Sequence, residues 1–545
     1  MAKWRKQCLS QALMRCARRF PGQEALVIDR RRLTYAQLWD SVKPVAAGLR
    51  GLGVERGDHV AVCMGNSPEW VQFFYGAAAI GAVTVPVNTR FKADELKYCL
   101  RQSDARLLFI SDRFLNIDFV EMLRSICPGV DRRLPHRELP ALEQVVVLGA
   151  DVPKAAVSWE TFCALGDTGP AFKLPEVAPD DVLLIQYTSG TTSYPKGVML
   201  THDNMLRNAA CVVERFGLGA GDRYYSARVF YHVAGTTLSL LAALVSGACL
   251  LSTAHFEPGE ALRMMSEEGC THTSGNDTMF LMMLNHPELG RYPLKLKGGW
   301  ASAGPEVSRK VVEHLGMKGL CQAYGLSETS PNVCMSRHDD DLEKRIGGWA
   351  HILDGVKVRI ANPETGKRAP PGESGEILVR GWSLMKGYYK MPEQTAMTID
   401  ARGWLHTGDL GVMDGDGRLR FIARIKDIIR VGGENVAPPE VEEVLHQHPA
   451  VKQAQVIGVP DARLVEVPAA YLILKAGAVA TPDEIVAWSR ARMANFRVPR
   501  YVKIVDSFDS IGMTGSAKVQ KNKLRAQALI DFGLEDRKPG QIAAA

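Results

Sequence analysis

Residues 187–202 have the sequence Tyr-Thr-Ser-Gly-Thr-Thr-Ser-Tyr-Pro-Lys-Gly-Val-Met-Leu-Thr-His. They follow an apolar run, residues 182–185, that predicts a buried strand. The hydroxyl residues, the glycines and Lys196 together offer N–H donors, O–H donors and one cation to a polyphosphate. This is not a Walker A loop, because Pro195 precedes the lysine and Gly197 follows it. The stretch therefore indicates a phosphate-binding loop of another kind, with a polar turn between strands as the alternative.

Composition limits the classes of function. The chain has 545 residues, which predicts at least two domains, and its net charge of +6 gives no reason to expect nucleic acid binding. Eleven cysteines lie between Cys8 and Cys334 without a Cys-x-x-Cys pair, which favours a reducing compartment over structural zinc or disulfides. No apolar run approaches the length of a membrane span.

The amino-terminal stretch allows two interpretations. Its first 23 residues contain six cations and no acid, as a mitochondrial transit peptide would. However, residues 9–20 and 25–27 are typical of a first helix and strand, so we expect a cytoplasmic protein.

Hydrophobic patterning predicts an α/β fold. Residues 34–256 alternate helical stretches with short apolar strands, such as 59–63 and 145–148, which indicates βα units and mostly parallel sheets. Residues 355–380 alternate like an antiparallel or barrel-like subdomain. The chain after residue 424 is typical of a compact α+β unit, and the polar segment 116–139 is expected to be an irregular surface excursion.

Four further segments could each carry chemistry. They are 230–235 (Phe-Tyr-His-Val-Ala-Gly), 322–329 (Gln-Ala-Tyr-Gly-Leu-Ser-Glu-Thr), 404–409 (Trp-Leu-His-Thr-Gly-Asp) with 424–427 (Arg-Ile-Lys-Asp), and 512–521 (Gly-Met-Thr-Gly-Ser-Ala-Lys-Val-Gln-Lys). Taken singly, they are a packed core histidine, a strand and turn, a turn-capping aspartate and an exposed lysine. Together with the phosphate loop and in this order, they resemble the adenylate-forming superfamily of acyl-CoA synthetases, luciferases and peptide-synthetase adenylation domains. The resemblance covers most of residues 30–530.

The resemblance implies a large amino-terminal domain, residues 1–425, built of βα sheets with a barrel-like subdomain, and a small, mobile α+β domain, residues 426–545. It also implies an ATP site in which tyrosine packs on adenine, Asp409 accepts from the ribose, and Thr188 and Glu328 bind Mg²⁺. The implied ATP-binding residues are Thr188, Ser189, Gly190, Thr191, Thr192, Lys196, Gly304, Pro305, Gln322, Tyr324, Gly325, Ser327, Glu328, Asp409, Arg424 and Lys518.

Further roles follow from the same resemblance. The implied catalytic residues are Lys518, His232, Thr188 and Glu328, and the implied acyl pocket comprises His232, Gly235, Ser302, Tyr324 and Gly325. Lys426 falls at the hinge, and Gly432 and Gly433 fall in a channel for CoA. The chain departs from the usual pattern at Ser193 and Ala517, where glycine is common, and at Gly512, where proline is common.

The implied reaction has two steps. A carboxylate attacks the α-phosphate of MgATP to give acyl-AMP, and the thiol of CoA then displaces AMP. The three pocket segments contain no arginine or lysine, so we expect an apolar monocarboxylic acid, whether medium-chain, alicyclic or aryl. The alternatives are transfer to a carrier protein, a catalytically silent nucleotide-binding regulator and a luciferase-type oxygenase. The interpretation also allows a homodimer.

Overall fold

The computed structural model describes residues 4–166, 169, 172–188, 195–514 and 518–535. In chain order, the strands within these residues are β1 (Glu24–Ile28), β2 (Arg31–Thr34), β3 (His59–Cys63), β4 (Val83–Pro86), β5 (Leu107–Ser111), β6 (Arg113–Phe114), β7 (Ile117–Asp118), β8 (Gln144–Leu148), β9 (Val157–Ser158), β10 (Val182–Thr188), β11 (Lys196–Thr201), β12 (Arg223–Tyr225), β13 (Cys249–Ser252), β14 (His272–Asn276), β15 (Gly298–Ser302), β16 (Gly319–Gly325), β17 (Asn332–Met335), β18 (Ala350–Ile352), β19 (Val356–Ala361), β20 (Ser374–Gly381), β21 (Leu405–Met413), β22 (Arg418–Arg424), β23 (Ile429–Val431), β24 (Glu434–Val436), β25 (Val451–Asp461), β26 (Val465–Leu474) and β27 (Tyr501–Ile504).

The α-helices of the same residues are α1 (Leu9–Arg19), α2 (Tyr35–Gly51), α3 (Pro68–Ile80), α4 (Ala93–Gln102), α5 (Phe119–Ile126), α6 (Trp159–Ala164), α7 (His202–Phe216), α8 (Val233–Gly235), α9 (Ala242–Ser246), α10 (Pro258–Glu267), α11 (Asp277–Leu284), α12 (Pro305–His314), α13 (Leu342–Ile346), α14 (Pro392–Thr398), α15 (Pro438–His446), α16 (Pro482–Arg490) and α17 (Lys521–Asp531). Short 3-10 turns include Ser327–Thr329 and Ile425–Asp427, and Thr236–Leu241 is π-helical. Among the helices described, none is long and apolar enough to cross a membrane.

Two large sheets form the body of the molecule. A 7-stranded sheet has the order β11-β10-β4-β3-β5-β8-β9 and is parallel except for the β10–β11 hairpin. A 13-stranded sheet runs β19-β20-β21-β22-β18-β17-β16-β15-β14-β12-β13-β1-β2. The strands β1, β13, β12, β14, β15 and β16 of this sheet are parallel to one another. The predicted antiparallel region, residues 355–380, contains the paired strands β19 and β20, and the antiparallel strands β17 to β22 continue that sheet beyond β16.

The strands and helices predicted from apolar runs are confirmed. Residues 182–185 begin β10, residues 59–63 are β3, and the first predicted helix and strand are α1 and β1. Most of these strands are buried on both faces, which is why their sequences are continuously apolar rather than alternating.

The prediction for residues 116–139 is wrong. This segment contains α5, a helix whose side chains Phe119, Val120 and Leu123 are fully buried beside β5. Apolar residues at positions i, i+1 and i+4 form one helical face, and the charged residues between them concealed that periodicity.

A third, 5-stranded sheet is made only of residues after 428. Its order is β24-β23-β26-β25, and β27 pairs in parallel with β26. Two small apolar clusters lie on it, one around Val441 of α15 and one around Leu524 of α17. The separate sheet with its own core is what the expected α+β unit requires.

Candidate functional site

The predicted site residues gather where strands of the two large sheets end. Thr188 ends β10, Ser302 ends β15 and Gly325 ends β16. Ligands of open α/β sheets bind outside the carboxyl ends of the strands, so the location suits a small-molecule site.

The phosphate-loop corner is held by the β10–β11 hairpin. Thr188 lies opposite Lys196 in the register, and the Nζ atom of Lys196 lies 4.9 Å from the ring centroid of Tyr388. The predicted ATP ligands Ser189, Gly190, Thr191 and Thr192, together with Ser193, lie outside the described residues. At its other end, β11 passes directly into α7, whose first turn is closed by reciprocal hydrogen bonds between Thr201 and Asn204.

Glu328 lies in the same corner. Its half-buried side chain accepts a 2.8 Å hydrogen bond at Oε1 from the hydroxyl group of Tyr388, a residue that sequence reasoning missed. Burial and the Glu328 carboxylate raise the pKa of Tyr388 well above its ordinary value, so the phenol stays protonated and is the donor of this hydrogen bond. The hydroxyl group of Thr188 and the Glu328 carboxylate, one oxygen of which is oriented by Tyr388, form a donor set that fits a hard cation such as Mg²⁺.

Tyr324 and Asp409 form the second part of the site. The hydroxyl group of Tyr324 donates a 2.8 Å hydrogen bond to Oδ2 of Asp409, and the Nε atom of Arg424 lies 3.3 Å from Oδ1. Burial raises the pKa of Asp409, while Arg424 and Tyr324 act in the opposite direction. The ring of Tyr324 stacks on Phe421, with ring centroids 5.3 Å apart and an interplanar angle of 14°. No pattern in the sequence indicated this contact.

The segment between Ser302 and α12 forms a turn with satisfied backbone groups. Asp277 accepts a 2.8 Å hydrogen bond from the Gly304 N–H group, and Pro305 begins α12. The side chain of Gln322 donates to the carbonyl group of Ala303 at 2.9 Å. Gln322, Gly304 and Pro305, predicted together, are therefore brought together.

Gly325 is required by close packing. A Cβ atom at this position would lie 1.9 Å from the carbonyl oxygen of Pro331, so no side chain fits there. The chain then turns through Ser327 and Glu328, which places the carboxylate directly after the glycine.

His232 lies at the start of α8 and caps it. Its Nδ1 atom accepts a 3.1 Å hydrogen bond from the Ala234 N–H group, which leaves the ring proton on Nε2. Burial, with the charges of Lys518 and Arg228, lowers the pKa of His232 to about 3, so the ring is neutral at pH 7. Gly235 is fully packed, because a Cβ atom there would lie 2.1 Å from the carbonyl oxygen of Val229.

Lys518 reaches the cleft from the third sheet. Its backbone closes a narrow loop: Thr514 N–H donates to its carbonyl group at 2.7 Å, and its own N–H donates to Thr514 Oγ1 at 3.0 Å. The surrounding protein lowers the pKa of Lys518, although its side chain stays open to the cleft. Arg228 and Arg424 lower that pKa further, and Asp277 and Asp409 raise it.

The departure at Gly512 has a structural reason, since its φ of 126° is inaccessible to proline. Ala517 lies outside the described residues, so the consequence of that departure stays open.

Contacts between α15 and the large sheet hold this arrangement. Oε1 of Glu443 accepts a 2.6 Å hydrogen bond from the Glu306 N–H group in the first turn of α12. Gln453 reaches Thr278 at 3.4 Å. Burial raises the pKa of Glu443 to about 7 and that of Asp277, which lies beside it, to about 6. Neither acid was predicted.

The predicted hinge and CoA residues lie in the segment from the end of β22 to the start of β24. Lys426 is in the 3-10 turn between β22 and β23, and Gly432, with a φ of 64°, turns β23 into β24. The N–H group of Gly432 donates a hydrogen bond to the carbonyl oxygen of Leu464, within the same unit. Gly433, the next residue, is exposed. Among the described residues, no hydrogen bond or ion pair joins either glycine to Lys518 or Glu328.

Comparisons with known proteins match nearly the whole chain. Residues 13–389 match the AMP-binding enzyme family, and residues 440–518 match the AMP-binding enzyme C-terminal domain. A putative acyl-CoA synthetase, YngI from Bacillus subtilis (strain 168), is 38% identical over 98% of this chain and 99% of its own length. The mitochondrial medium-chain acyl-CoA ligase ACSF2 of Rattus norvegicus is 34% identical over 95% of this chain and 87% of its own.

Solved structures agree with these matches. The anthranilate CoA ligase AuaEII in complex with anthranoyl-AMP superposes with a TM-score of 0.87 at 26% identity, covering 97% of this chain and 98% of that one. ATP-bound MatB from Rhodopseudomonas palustris gives a TM-score of 0.81 at 27% identity, covering 96% and 99%.

Proposed function

This chain belongs to the AMP-binding enzyme family of AMP-forming acid–thiol ligases, and we propose that it activates a mainly apolar monocarboxylic acid through acyl-AMP and transfers it to CoA. The observation that carries the proposal is the position of Lys518 in the loop before α17, where its charge lowers the pKa of His232 and the charges of Asp277 on α11 and Asp409 on β21 raise its own pKa. A cation held among these groups suits a reaction between two anions.

In this proposal, ATP lies along the strand ends. The ring of Tyr324 packs against adenine, and Asp409 accepts from the ribose, since its buried Oδ1 atom has no hydrogen-bond partner among the described residues. Lys196 and the hydroxyl residues of the 187–202 stretch face the phosphates. Thr188 and Glu328 would hold Mg²⁺, which when bound neutralises phosphate charge.

The first step needs the repulsion between carboxylate and α-phosphate to be offset. In this proposal, protonated Lys518 supplies the positive charge at the cleft, where burial and the charges of Arg228 and Arg424 lower its pKa. His232 is neutral and donates from Nε2, so it orients the reacting groups without adding charge. No protein nucleophile is required, which accords with ten buried cysteines and one half-buried cysteine in the structure.

For the second step, we propose that the unit after Lys426 rotates about this residue, with the domain boundary at 425/426. Rotation would withdraw Lys518 and bring Gly432 and Gly433 to the cleft, where backbone without side chains can lie close to the extended arm of CoA. The exposed position of the β23–β24 turn is consistent with such a movement.

The relatives guide the choice of acid. The ACSF2 proteins are named medium-chain acyl-CoA ligases, and AuaEII is named an anthranilate CoA ligase. We propose a medium-chain, alicyclic or aryl acid, held between the helix after His232 and the segments at Ser302 and Tyr324. Transfer to a carrier protein is the second candidate, and no contact in the structure favours it over CoA.

The proposal also covers the cellular compartment of the enzyme. Eleven cysteines without a disulfide suit a reducing compartment, and we propose the cytoplasm. A homodimer is compatible with this chain but has no support in a single-chain structure.

The decisive experiment measures AMP release from MgATP with short-chain to long-chain, cyclohexane and benzoate-type acids, with and without CoA. Release only when an acid and CoA are both present supports the proposal. Pyrophosphate exchange without CoA-dependent AMP release would favour the carrier protein, and no turnover with any acid would contradict the ligase.

A further inference from the structure

Arg228 presents a buried guanidinium group at the ends of the parallel strands. It follows β12 by three residues and is 8% exposed. Its guanidinium carbon lies 4.3 Å from the ring centroid of Trp300 on β15. Its Nε and Nη2 atoms are buried and have no hydrogen-bond partner among the described residues.

The backbone of Arg228 is fixed from the opposite side. The side chain of Asn66 donates a 3.0 Å hydrogen bond to the Arg228 carbonyl oxygen and accepts a 2.8 Å bond from the Phe230 N–H group. The backbone at Arg228 is therefore fixed, and its guanidinium group stacks on Trp300.

The polar groups beneath it are satisfied. Trp300 donates from Nε1 to the hydroxyl oxygen of Tyr224 at 2.9 Å, and Tyr224 donates to Ser274 at 2.9 Å. Ser226 lies 2.8 Å from Ser239 and 3.2 Å from Ser274, oxygen to oxygen. The unpartnered N–H groups of Arg228 therefore find no acceptor in this network.

Unpartnered buried donors are destabilising without a ligand. A buried donor without an acceptor has lost its hydrogen bond to water, and the loss is greater when the donor is charged. Stacking on an aromatic ring stabilises the guanidinium group but satisfies neither N–H group. An acceptor oxygen from a bound molecule would satisfy both.

The guanidinium group borders the space assigned to the acid. Trp300 and Ser302 lie on the same face of β15, since side chains alternate along a strand. His232 follows Arg228 by four residues, and the charge of Arg228 acts on the pKa values of both His232 and Lys518. Arg228 therefore brings a cation to the edge of the proposed acyl pocket, whereas the three segments considered in the sequence contain none.

We propose that the acid substrate carries, at a distance from its reacting carboxyl group, one oxygen acceptor that binds Nε and Nη2 of Arg228. This acceptor is a keto or hydroxyl oxygen on an otherwise apolar monocarboxylic acid. The inference rests on the proposed function and narrows its substrate class. It makes Arg228 a specificity-determining residue.

The test compares matched acids in CoA-dependent AMP release. Hexanoate and octanoate are measured beside their keto and terminal hydroxyl counterparts, with wild type and Arg228→Met, an apolar change of similar length. We expect wild type to prefer one acceptor-bearing acid by at least about tenfold in kcat/KM, since hydrogen bonds to charged groups contribute about 1.5–3 kcal/mol. Arg228→Met should lose that preference and keep, or raise, kcat/KM for the plain acid.

Three results would overturn the inference. An equal loss with every acid would mean that Arg228 acts on the α-phosphate or on the reacting carboxylate. A wild-type preference for plain acids, unchanged by Arg228→Met, would leave Arg228 a packing residue. No AMP from wild type with any acid would remove the proposed function as well.

Controls separate these results from misfolding. Thermal unfolding and ATP binding are measured for each variant. Arg228→Met should unfold at the same or a higher temperature, because it removes unpaired buried donors, and ATP binding should not change if Arg228 contacts only the acid. If Arg228→Met does not fold, Arg228→Lys retains the charge but not the paired donors. The Arg228→Lys enzyme should then lose most of the preference in kcat/KM for the acceptor-bearing acid. A preference equal to that of wild type would contradict the proposal.

Discussion

The hydroxyl group of Tyr388 donates a 2.8 Å hydrogen bond to Oε1 of Glu328, which lies 60 positions earlier in the chain. The ring of the same tyrosine lies 4.9 Å from Nζ of Lys196. One side chain therefore orients the predicted metal-binding carboxylate and contacts the predicted phosphate-binding lysine. This relationship suggests that Tyr388 couples the two halves of the nucleotide site.

Tyr388→Phe should raise the Mg²⁺ concentration needed for half-maximal adenylation by about 10–100-fold, as loss of a group that orients a metal ligand does. The reason is that Glu328 loses the donor that fixes Oε1. The measurement is pyrophosphate exchange across a Mg²⁺ titration. Tyr389→Phe is the matched control, because the Tyr389 hydroxyl group donates to Asp104 instead, and an equal effect in both variants would contradict the prediction.

Lys518→Ala should lower the rate of adenylation by on the order of 10²–10³, because one pre-organised charge is removed from the first step. Thioester formation from supplied acyl-AMP should be largely retained. The exposed Lys523, five residues later, provides the control variant Lys523→Ala. Equal losses in the two half-reactions would refute this division of roles.

Lys426→Pro should spare adenylation and slow thioester formation, because proline fixes φ in the turn about which the rotation is proposed. Lys426→Ala removes the charge but leaves the backbone free, so it should retain both half-reactions. The two steps are measured separately, by pyrophosphate exchange and by thioester release. A proline variant that forms thioester at the normal rate would remove Lys426 as the hinge.

The docked arrangement should depend on pH through Glu443. Its pKa is raised from 4.5 to about 7, so docking stabilises the protonated form. The stabilisation is present below about pH 4.5 and is lost as the pH rises through about 7. The groups facing it are Glu306 and Asp277, which raise its pKa, and Lys310, which lowers it.

Glu443→Gln is neutral at every pH and should flatten this dependence. Wild-type pyrophosphate exchange should fall several-fold more between pH 6 and pH 8 than that of the variant, after correction for the acid substrate's own ionisation. Glu442→Gln tests specificity, because Glu442 binds Lys521 within the same unit. Parallel profiles for wild type and Glu443→Gln would show that this carboxyl group does not control docking.

Strands and site residues were predicted correctly where the residues concerned lie within one strand or loop. The apolar run before Thr188 gave β10, and Tyr324, Gly325 and Glu328 do lie together after β16 because they are close in sequence. Helix α5 was missed because charged residues interrupt its apolar face. Tyr388, Phe421 and Glu443 had no signal at all, since each acts through a partner distant in the chain.

The sequence by itself determined the family and the order of the site segments, and it predicted Lys518 as the reactive lysine, because these depend on residue types at fixed spacing. Only the tertiary structure decided which side chains meet. It stacked Arg228, in the loop after β12, on Trp300 of β15, 72 positions later, and left two of its N–H groups without an acceptor among the described residues. The physical reason is that burial and unpaired hydrogen bonds are properties of packing between strands, and no spacing along one strand records them.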